Sequence, residues 1–338
     1  MNQSIHNRQR WAKRLFNIVI VVVAYGYLIF KLSTFDDYTT LAHSLSTATP
    51  WQWWCLLLAI ALFPLNIFFD AWKWQYLLRK VEPMTLSEAQ RQTYFGFVGA
   101  FLTPGRLGDY PTRVTLLKDK KNAITAIALG FVGTFALSSL QIIAGMPAAM
   151  HTLSSDTFSL PWYAYLISLF FIGGFVFSPM IARQLRKREI KKESLRITVD
   201  ALADFHLPQL LVVFAMSGLR YIVYCAQMWL VMIFCGISLS PVDMMLAICT
   251  YYLLVTVTPS VPVADAAVRG SWAIVVFSKY TANEPAIALS AIIVWILNTI
   301  LPMIVGTMVK KNNHSTPPSP GSVTSQPSTP QPVTSQPS

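Results

Sequence analysis

Residues 94–105 read YFGFVGAFLTPG, a run of mostly apolar and small residues that ends in a Thr-Pro-Gly turn. A helix needs roughly 20 residues to cross a hydrocarbon layer about 30 Å thick, so this stretch is too short to span it. A second stretch, 244–279, is long enough, but four residues interrupt it: Pro259, Pro262, Asp265 and Arg269. Short or broken apolar segments are typical of hairpins that enter and leave a membrane on one face. Both stretches are therefore predicted to be re-entrant.

The composition places the rest of the chain in a membrane as well. Hydrophobic residues make up 54% of the 338 residues and charged residues 12%, whereas soluble domains have roughly a quarter charged. Six segments have the length of a helical crossing: 15–32, 51–71, 122–147, 160–181, 207–235 and 286–309. The first follows basic residues, as a signal peptide does. Its apolar stretch is too long for one and no Ala-x-Ala site follows, so we expect a retained anchor.

The basic residues indicate an orientation. With the N-terminus inside, 22 of the 26 Lys and Arg residues fall in segments predicted to be cytoplasmic. The predicted outer loops, 33–50, 148–159 and 236–243, contain none. The net charge of +11 is then explained by topology, and no nucleic-acid partner is expected. Both termini are predicted to be cytoplasmic, in the cell (inner) membrane.

The crossings and short segments follow the same order twice. Two crossings, one re-entrant element and a third crossing occur in 15–147 and again in 160–309. Since three crossings per copy is an odd number, the second copy must be inverted. We predict an all-α polytopic membrane protein with six full crossings plus two re-entrant broken-helix hairpins, arranged as an inverted repeat. A basic N-terminus, 1–14, precedes it, and a disordered Pro/Ser/Thr/Gln tail, 312–338, follows.

Both predicted hairpins carry one polar pattern, in which a Thr-Pro pair precedes an aspartate and an arginine follows that aspartate four positions later. The two sets are Thr103-Pro104 with Asp109 and Arg113, and Thr258-Pro259 with Asp265 and Arg269. In the first set, Gly105 and Gly108 permit a sharp turn into a helix start beside Arg106 and Arg113, which is a reasonable phosphate site. The alternative is that each aspartate pairs with its own arginine across one helical turn.

Arg220 is a further candidate because it lies near the centre of 207–235, where an arginine costs ~2.5–3.5 kcal/mol. It must face a ligand, water or a carboxylate. It is either a substrate-binding residue or a fixed ion-pair partner of Asp265, Asp109 or Asp70.

Other polar and aromatic residues of the spans have structural interpretations. Asp70 and Lys73 are predicted to form an interfacial pair with a snorkelling lysine. Asn66, Gln141, Gln227 and Asn298 are expected to hydrogen-bond between helices. The tryptophans at 51, 53, 54, 72 and 74 are expected to be interfacial anchors.

Nothing in the sequence indicates a cofactor or a metal site, and we predict none. The four cysteines are isolated in apolar runs. A membrane-embedded lipid phosphatase or transferase would need paired carboxylates with a Ser or His in reach, and PGRLGD contains no Ser. We therefore predict that the protein is not an enzyme. The membrane-embedded lipid phosphatase or transferase stays as one alternative function. Another is a non-transporting scaffold that binds an envelope lipid biosynthesis enzyme, for which the tail is the only support.

One stretch of the sequence is similar to a known family: the run Pro104-Gly105-Arg106-Leu107-Gly108-Asp109. Arg113 and Leu116-Leu117 follow this run, and Trp72-x-Trp74 and Leu77-Leu78 precede it. With these residues, the chain resembles the flippase-like membrane domain of lysylphosphatidylglycerol synthases and its free-standing relatives, over about 15–309. The resemblance implies that an anionic phospholipid or polyprenyl-linked glycolipid is moved between leaflets. Synthase activity is not implied, because no transferase domain follows.

The resemblance is incomplete at two places. Asp109 stands where that family usually has Glu, and 263–270 lacks the family's usual glycines and Arg-Glu pair. Arg106 and Arg113 are therefore the residues carried over. Together with the candidates above, the predicted substrate site comprises Arg106, Arg113, Arg220, Asp109, Asp265 and Arg269, with the two aspartates exchanging partners as the halves rock.

Overall fold

The computed structural model describes Ser46 and residues 48–308, except 154–161, 189–191, 259, 262 and 263. The predicted N-terminus 1–14, the first predicted crossing 15–32 and the tail 312–338 lie outside the described residues. Within the described residues there are helices and turns and no β-strand.

The helices are α1 (Pro50–Leu78), α2 (Leu86–Leu102), α3 (Asp109–Arg113), α4 (Ala123–Thr152), α5 (Trp162–Arg186), α6 (Glu193–Ala203), α7 (Leu207–Phe234), α8 (Pro241–Val257), α9 (Asp265–Phe277), α10 (Glu284–Trp295) and α11 (Leu301–Thr307). A π-helical turn, Ile296–Ile300, joins α10 to α11. In the part of the chain described, five segments are long and apolar enough to cross a membrane: α1, α4, α5, α7 and the continuous α10–α11 segment. They correspond to five of the six predicted crossings.

Helix α1 is longer than predicted. It begins with Pro50 in the first turn after a Thr49 capping box, and it continues seven residues past position 71. Asp70 and Lys73 lower the local hydropathy, so a search for apolar segments ends the helix too early. Both residues are nevertheless buried, with 2% and 3% of their surface exposed. Trp74 is also buried, so its interpretation as an interfacial anchor is wrong.

Helices α1 and α7 run antiparallel through the centre of the molecule. At one end, Gln52 Nε2 donates to the Phe234 carbonyl over 3.4 Å, and at the other Lys73 Nζ lies 3.3 Å from Ser217 Oγ. Corresponding helices of the two predicted repeats therefore pack directly on each other.

Helices α2 and α3, with the chain between and after them, form a helical hairpin that we call hairpin A (86–118). Its two ends lie side by side, where the charged atoms of Glu88 and Lys118 are 2.8 Å apart in a surface ion pair. Helix α2 starts eight residues before the predicted 94 because Thr85 and Glu88 form a capping box. Gly105 turns the chain with φ of +60°. Close contact of the two arms requires Gly99, since a Cβ there would meet Thr112 Oγ1 at 1.8 Å.

Helices α8 and α9 form a second hairpin, hairpin B (241–277), with matching local structure. Both α2 and α8 have 17 residues and an N-cap Thr or Ser. Both end at a threonine that donates to the carbonyl four residues earlier: Thr103 to Gly99 over 2.9 Å and Thr258 to Leu254 over 2.6 Å. The common pattern in the sequence therefore corresponds to a common structure.

The two hairpins start at opposite ends of α4, whose 30 residues correspond to a length of about 45 Å. At the first end, Glu82, just after α1, accepts from the Lys118 amide over 2.7 Å. At the other end, Lys279, just after α9, donates to the Thr152 carbonyl over 2.9 Å. The hairpin tips meet between these ends, where the Gly105 amide donates to the Ser260 carbonyl over 3.1 Å.

Each hairpin also packs on a long helical segment of the other half: hairpin A on α11 of the α10–α11 segment and hairpin B on α4. A substitution at Gly306 tests the first of these contacts. A Cβ on Gly306 of α11 would lie 2.1 Å from the Tyr94 carbonyl of α2, so Gly306→Ala must push the two helices apart. We expect this variant to lose about 1–3 kcal/mol of stability, seen as a lower melting temperature in detergent. Gly173→Ala is the control, because its nearest atom is Phe177 Cδ2 at 3.8 Å. Equal melting temperatures for the two variants would contradict the packing.

Candidate functional site

A cavity of about 510 Å³ lies where the hairpin tips meet, between α4, α5, α7 and α10. One part of its lining is charged and the other part is apolar. The charged residues are Asp70, Lys73, Arg106, Asp109, Arg220, Asp265 and Arg269. The apolar part comes largely from α4 and α5, and includes Phe131, Leu137, Ile167, Phe170 and Phe171. This combination suits an amphipathic ligand.

Asp70 is the centre of the charged part. Its carboxylate accepts from Arg113 Nη2 over 2.7 Å and from Arg220 Nη1 over 2.5 Å. Lys73 Nζ lies 3.8 Å from the same carboxylate. One buried aspartate thus joins α1, hairpin A and α7, and the predicted interfacial position of Asp70 and Lys73 is wrong. The Asp70 charge is stable inside the protein because arginines from two other elements pair with the carboxylate, and Asp70 in turn is the acidic partner of Lys73.

Arg113 lies behind the cavity, where its side chain is almost fully buried. It donates to Asp109 over 2.6 Å as well as to Asp70, and Nη1 reaches Thr93 Oγ1 at 3.2 Å. Its guanidinium sits over the Trp74 ring, 5.4 Å from the centroid. With these contacts Arg113 holds Asp109 and Asp70 in place and is covered from the cavity.

Arg220 continues the network towards α10. Its Nε donates to Asn66 Oδ1 over 2.8 Å. Asn66 donates in turn to Asn298 in the π-helical turn, and Asn298 donates to Gln227 over 2.9 Å. Gln141 also binds across helices, accepting from Thr256 over 2.9 Å. The predicted interhelical role of these four amides is confirmed, as is the pairing of Arg220 with Asp70.

Arg106 is at the tip of hairpin A. Its backbone has φ of +59°, which is unusual for a non-glycine residue, and its side chain is half-buried. The guanidinium lies over the Phe97 ring, 4.9 Å from the centroid. Among the described residues it makes no ion pair with a carboxylate. Arg106 is thus the cation most free to bind a ligand in the cavity.

Asp265 is the corresponding carboxylate of hairpin B. It accepts from Ser260 Oγ over 3.0 Å, from Arg269 Nε over 3.1 Å and from Trp295 Nε1 over 2.9 Å. The alternative interpretation, in which each aspartate pairs with its own arginine across one helical turn, therefore holds in both hairpins. Asp265 also lines a small side pocket with Arg106, so these two opposite charges face each other across the tips.

A comparison with protein families gives a match over most of the chain. The family model described as the lysylphosphatidylglycerol synthase TM region matches residues 15–306. The chain belongs to this family. No curated protein matches it. Family membership and the apolar helices together make it a multi-pass membrane protein. The matched range also includes the predicted crossing 15–32, which lies outside the described residues.

Five of the six predicted site residues of this family member line the cavity: Arg106, Asp109, Arg220, Asp265 and Arg269. The sixth, Arg113, supports them from behind. The predicted helix start between Arg106 and Arg113 belongs to α3, which has only five residues. The site is therefore built mainly from side chains of four elements, and one helix end contributes little.

The sequence interpretation missed Asp70 and Lys73, although a signal for them existed. Asn66, Asp70 and Lys73 follow the spacing i, i+4, i+7, which places them on one face of α1. A polar stripe within an apolar helix faces the protein interior or a water-filled cavity. The 22 Lys and Arg residues predicted to be cytoplasmic include Lys73 in 71–93 and Arg106 and Arg113 in 103–121. These three instead line or support the cavity.

Proposed function

We propose that this protein moves an anionic lipid, a phospholipid or a polyprenyl-linked glycolipid, between the two leaflets of the cell (inner) membrane. The headgroup would occupy the charged part of the cavity and the chains would lie on its apolar part. The observation that carries this proposal is Phe170, which lines the cavity and is also 63% exposed on the outer face of α5. Leu166 and Leu169 beside it on α5 are also exposed, so among the described residues the cavity borders an apolar surface on which lipid chains would lie.

The proposed architecture has six crossings, with 15–32 as the first, and both termini in the cytoplasm. Hairpins A and B are re-entrant and enter from opposite faces, as an inverted repeat. The start of the hairpins at opposite ends of α4 supports this arrangement. So do their matching caps and aspartate–arginine pairs. In such proteins the ligand lies near the midplane, where the broken elements meet.

In this mechanism Arg106, Arg220 and Arg269 bind the headgroup, and Arg113 positions Asp109. Between the described residues of the two hairpin tips there is one backbone hydrogen bond, worth about 0.5–1.5 kcal/mol, which breaks at low cost as the tips separate. As the halves rock, Asp109 and Asp265 exchange partners between arginines and leave the headgroup exposed first to one side and then to the other.

We propose transport without chemistry on the lipid. Hydrolysis of a phosphate ester needs an activated nucleophile and a base. Among the described residues that line the cavity there is no His, Cys or Glu. A serine–carboxylate pair is present, Ser260 with Asp265, but this carboxylate also accepts from Arg269 and Trp295, which makes it a poor base. The other two carboxylates are engaged by arginines. This supports a transporter over the phosphatase and transferase alternatives.

Transfer of a tail-labelled anionic lipid across liposomes that contain the purified protein tests the proposal. We expect Arg106→Ala to slow transfer about tenfold or more, since it removes charge-assisted hydrogen bonds to the headgroup. Folding should be unchanged, because the guanidinium pairs with no carboxylate in the part of the chain that the structure describes. Arg106→Lys should retain part of the activity. Arg188→Ala, exposed after α5, is the matched control.

Three outcomes of this assay would count against the proposal. Unchanged transfer by Arg106→Ala would remove the assigned site. No transfer by the wild-type protein would remove the function. Release of phosphate from a lipid diphosphate would favour the enzyme alternative, whereas a scaffold would give neither signal and would lose its partner on deletion of 312–338.

A further inference from the structure

The cavity carries an excess of positive charge. Four cations line it, and Arg113 lies directly behind, bonded to two of the lining carboxylates. The carboxylates in this group are Asp70, Asp109 and Asp265. Five cations against three carboxylates leaves two positive charges without a balancing negative charge among the described residues of the cavity.

The geometry identifies where the excess lies. Arg113 is paired with Asp109, Arg220 with Asp70, and Arg269 with Asp265. Lys73 and Arg106 are left. Lys73 Nζ is 3.8 Å from Asp70, which already accepts from two arginines, and its other contacts are neutral: the Gly133 carbonyl at 3.2 Å and Ser217 Oγ at 3.3 Å.

Guanidinium donors remain open in the same region. Arg220 uses Nε for Asn66 and Nη1 for Asp70, and no hydrogen bond from its Nη2 is found to any described residue. The Arg106 guanidinium lies over the Phe97 ring, and no hydrogen bond from its N–H groups to a side chain or carbonyl is found among the described residues. Two open guanidinium forks on different elements suit the several oxygens of a phosphate group.

We propose that the cavity selects a headgroup with two negative charges, a phosphate monoester or a diphosphate, and that Lys73 is a specificity-determining residue. This inference rests on the proposed function and names the substrate class of the same cavity. In a weakly screened interior, two unbalanced cations favour a ligand with two negative charges. A phosphate monoester carries about −1.5 to −2 at pH 7. A phosphodiester carries a single negative charge, and a lysyl ester of phosphatidylglycerol carries net positive charge.

Liposome transfer of three lipids with identical acyl chains tests this selection: phosphatidate, phosphatidylglycerol and lysylphosphatidylglycerol. The wild-type protein is expected to move phosphatidate about tenfold faster than phosphatidylglycerol, and the lysylated lipid most slowly. Lys73→Met keeps the apolar stem and removes the charge. It should bring the ratio of the first two rates close to one while phosphatidylglycerol is still moved. Lys187→Met, exposed after α5, should keep the wild-type ratio.

A second measurement separates this inference from the transport proposal. In detergent, added phosphatidate should raise the melting temperature of the wild-type protein more than phosphatidylglycerol does. Selective stabilisation without any transfer would support the charge selection and overturn the transport. Equal or reversed preference in both measurements would overturn the inference. An unchanged rate ratio in Lys73→Met would overturn the role of Lys73.

Discussion

Asp70→Asn is expected to lower the stability of the protein by about 3–5 kcal/mol, enough to prevent accumulation of folded protein. The carboxylate accepts from Arg113 and Arg220, and its side chain is only 3% exposed. Breaking a buried ion pair leaves an uncompensated charge, which costs far more than the pair itself contributes. The yield of monodisperse protein and its melting temperature in detergent measure the effect.

The control for this variant is Asp200→Asn. Asp200 pairs with Arg186 at 3.2 Å, but both side chains are about half exposed, so we expect a loss of about 1 kcal/mol or less. A double variant tests whether the loss of stability comes from the unpaired charge. Asp70→Asn combined with Arg220→Met should recover much of the lost stability, since Arg113 keeps Asp109. An Asp70→Asn protein that melts like the wild type would contradict the network.

Single cysteines placed where the hairpins begin or end, opposite their tips, should be either fully labelled or unlabelled from a given side of the membrane. In a background without native cysteines, Lys118→Cys tests the end of hairpin A, where this side chain is 61% exposed. Ser240→Cys tests the exposed start of hairpin B. In intact cells an impermeant maleimide added outside should label position 240 and leave position 118 unlabelled. Opening the cells should expose position 118, because the two bases lie at opposite ends of α4.

The substitution at position 118 should be tolerated, since it removes only a surface ion pair with Glu88. A permeant maleimide that labels both positions is the matched control for reactivity. Labelling of both positions from one face would refute the inverted arrangement. The multi-pass membrane class and the family assignment would remain.

Several features of this protein were predictable because they depend on local sequence. Bilayer thickness sets the length of an apolar crossing, so the starts of five crossings were placed to within two residues. The C-terminal ends of α1, α4 and α5 lie five to seven residues beyond the predicted ends. The Thr-Pro pattern predicted two similar hairpins. Their internal ion pairs, which the sequence offered only as the alternative to a ligand site, are present because residues four apart meet on one helix face. The PGRLGD run predicted the family.

The end of α1 was predicted wrongly for a physical reason. A hydropathy window treats every charged side chain as if it faced lipid or water, so it ended the helix at 71. Asp70 and Lys73 are instead surrounded by protein, and the helix continues to Leu78. Whether a charge inside a span is costly depends on its partners, and those come from other elements.

Local sequence was thus sufficient for the membrane class, the crossings and the family, because a bilayer acts on each segment separately through its length and polarity. The composition of the charged cavity depends on the assembled protein. Asp70 meets Arg113 across 43 residues of chain and Arg220 across 150, and no periodicity in the sequence encodes such distances. Packing of α1 between hairpin A and α7 alone determines that these three charges share one site.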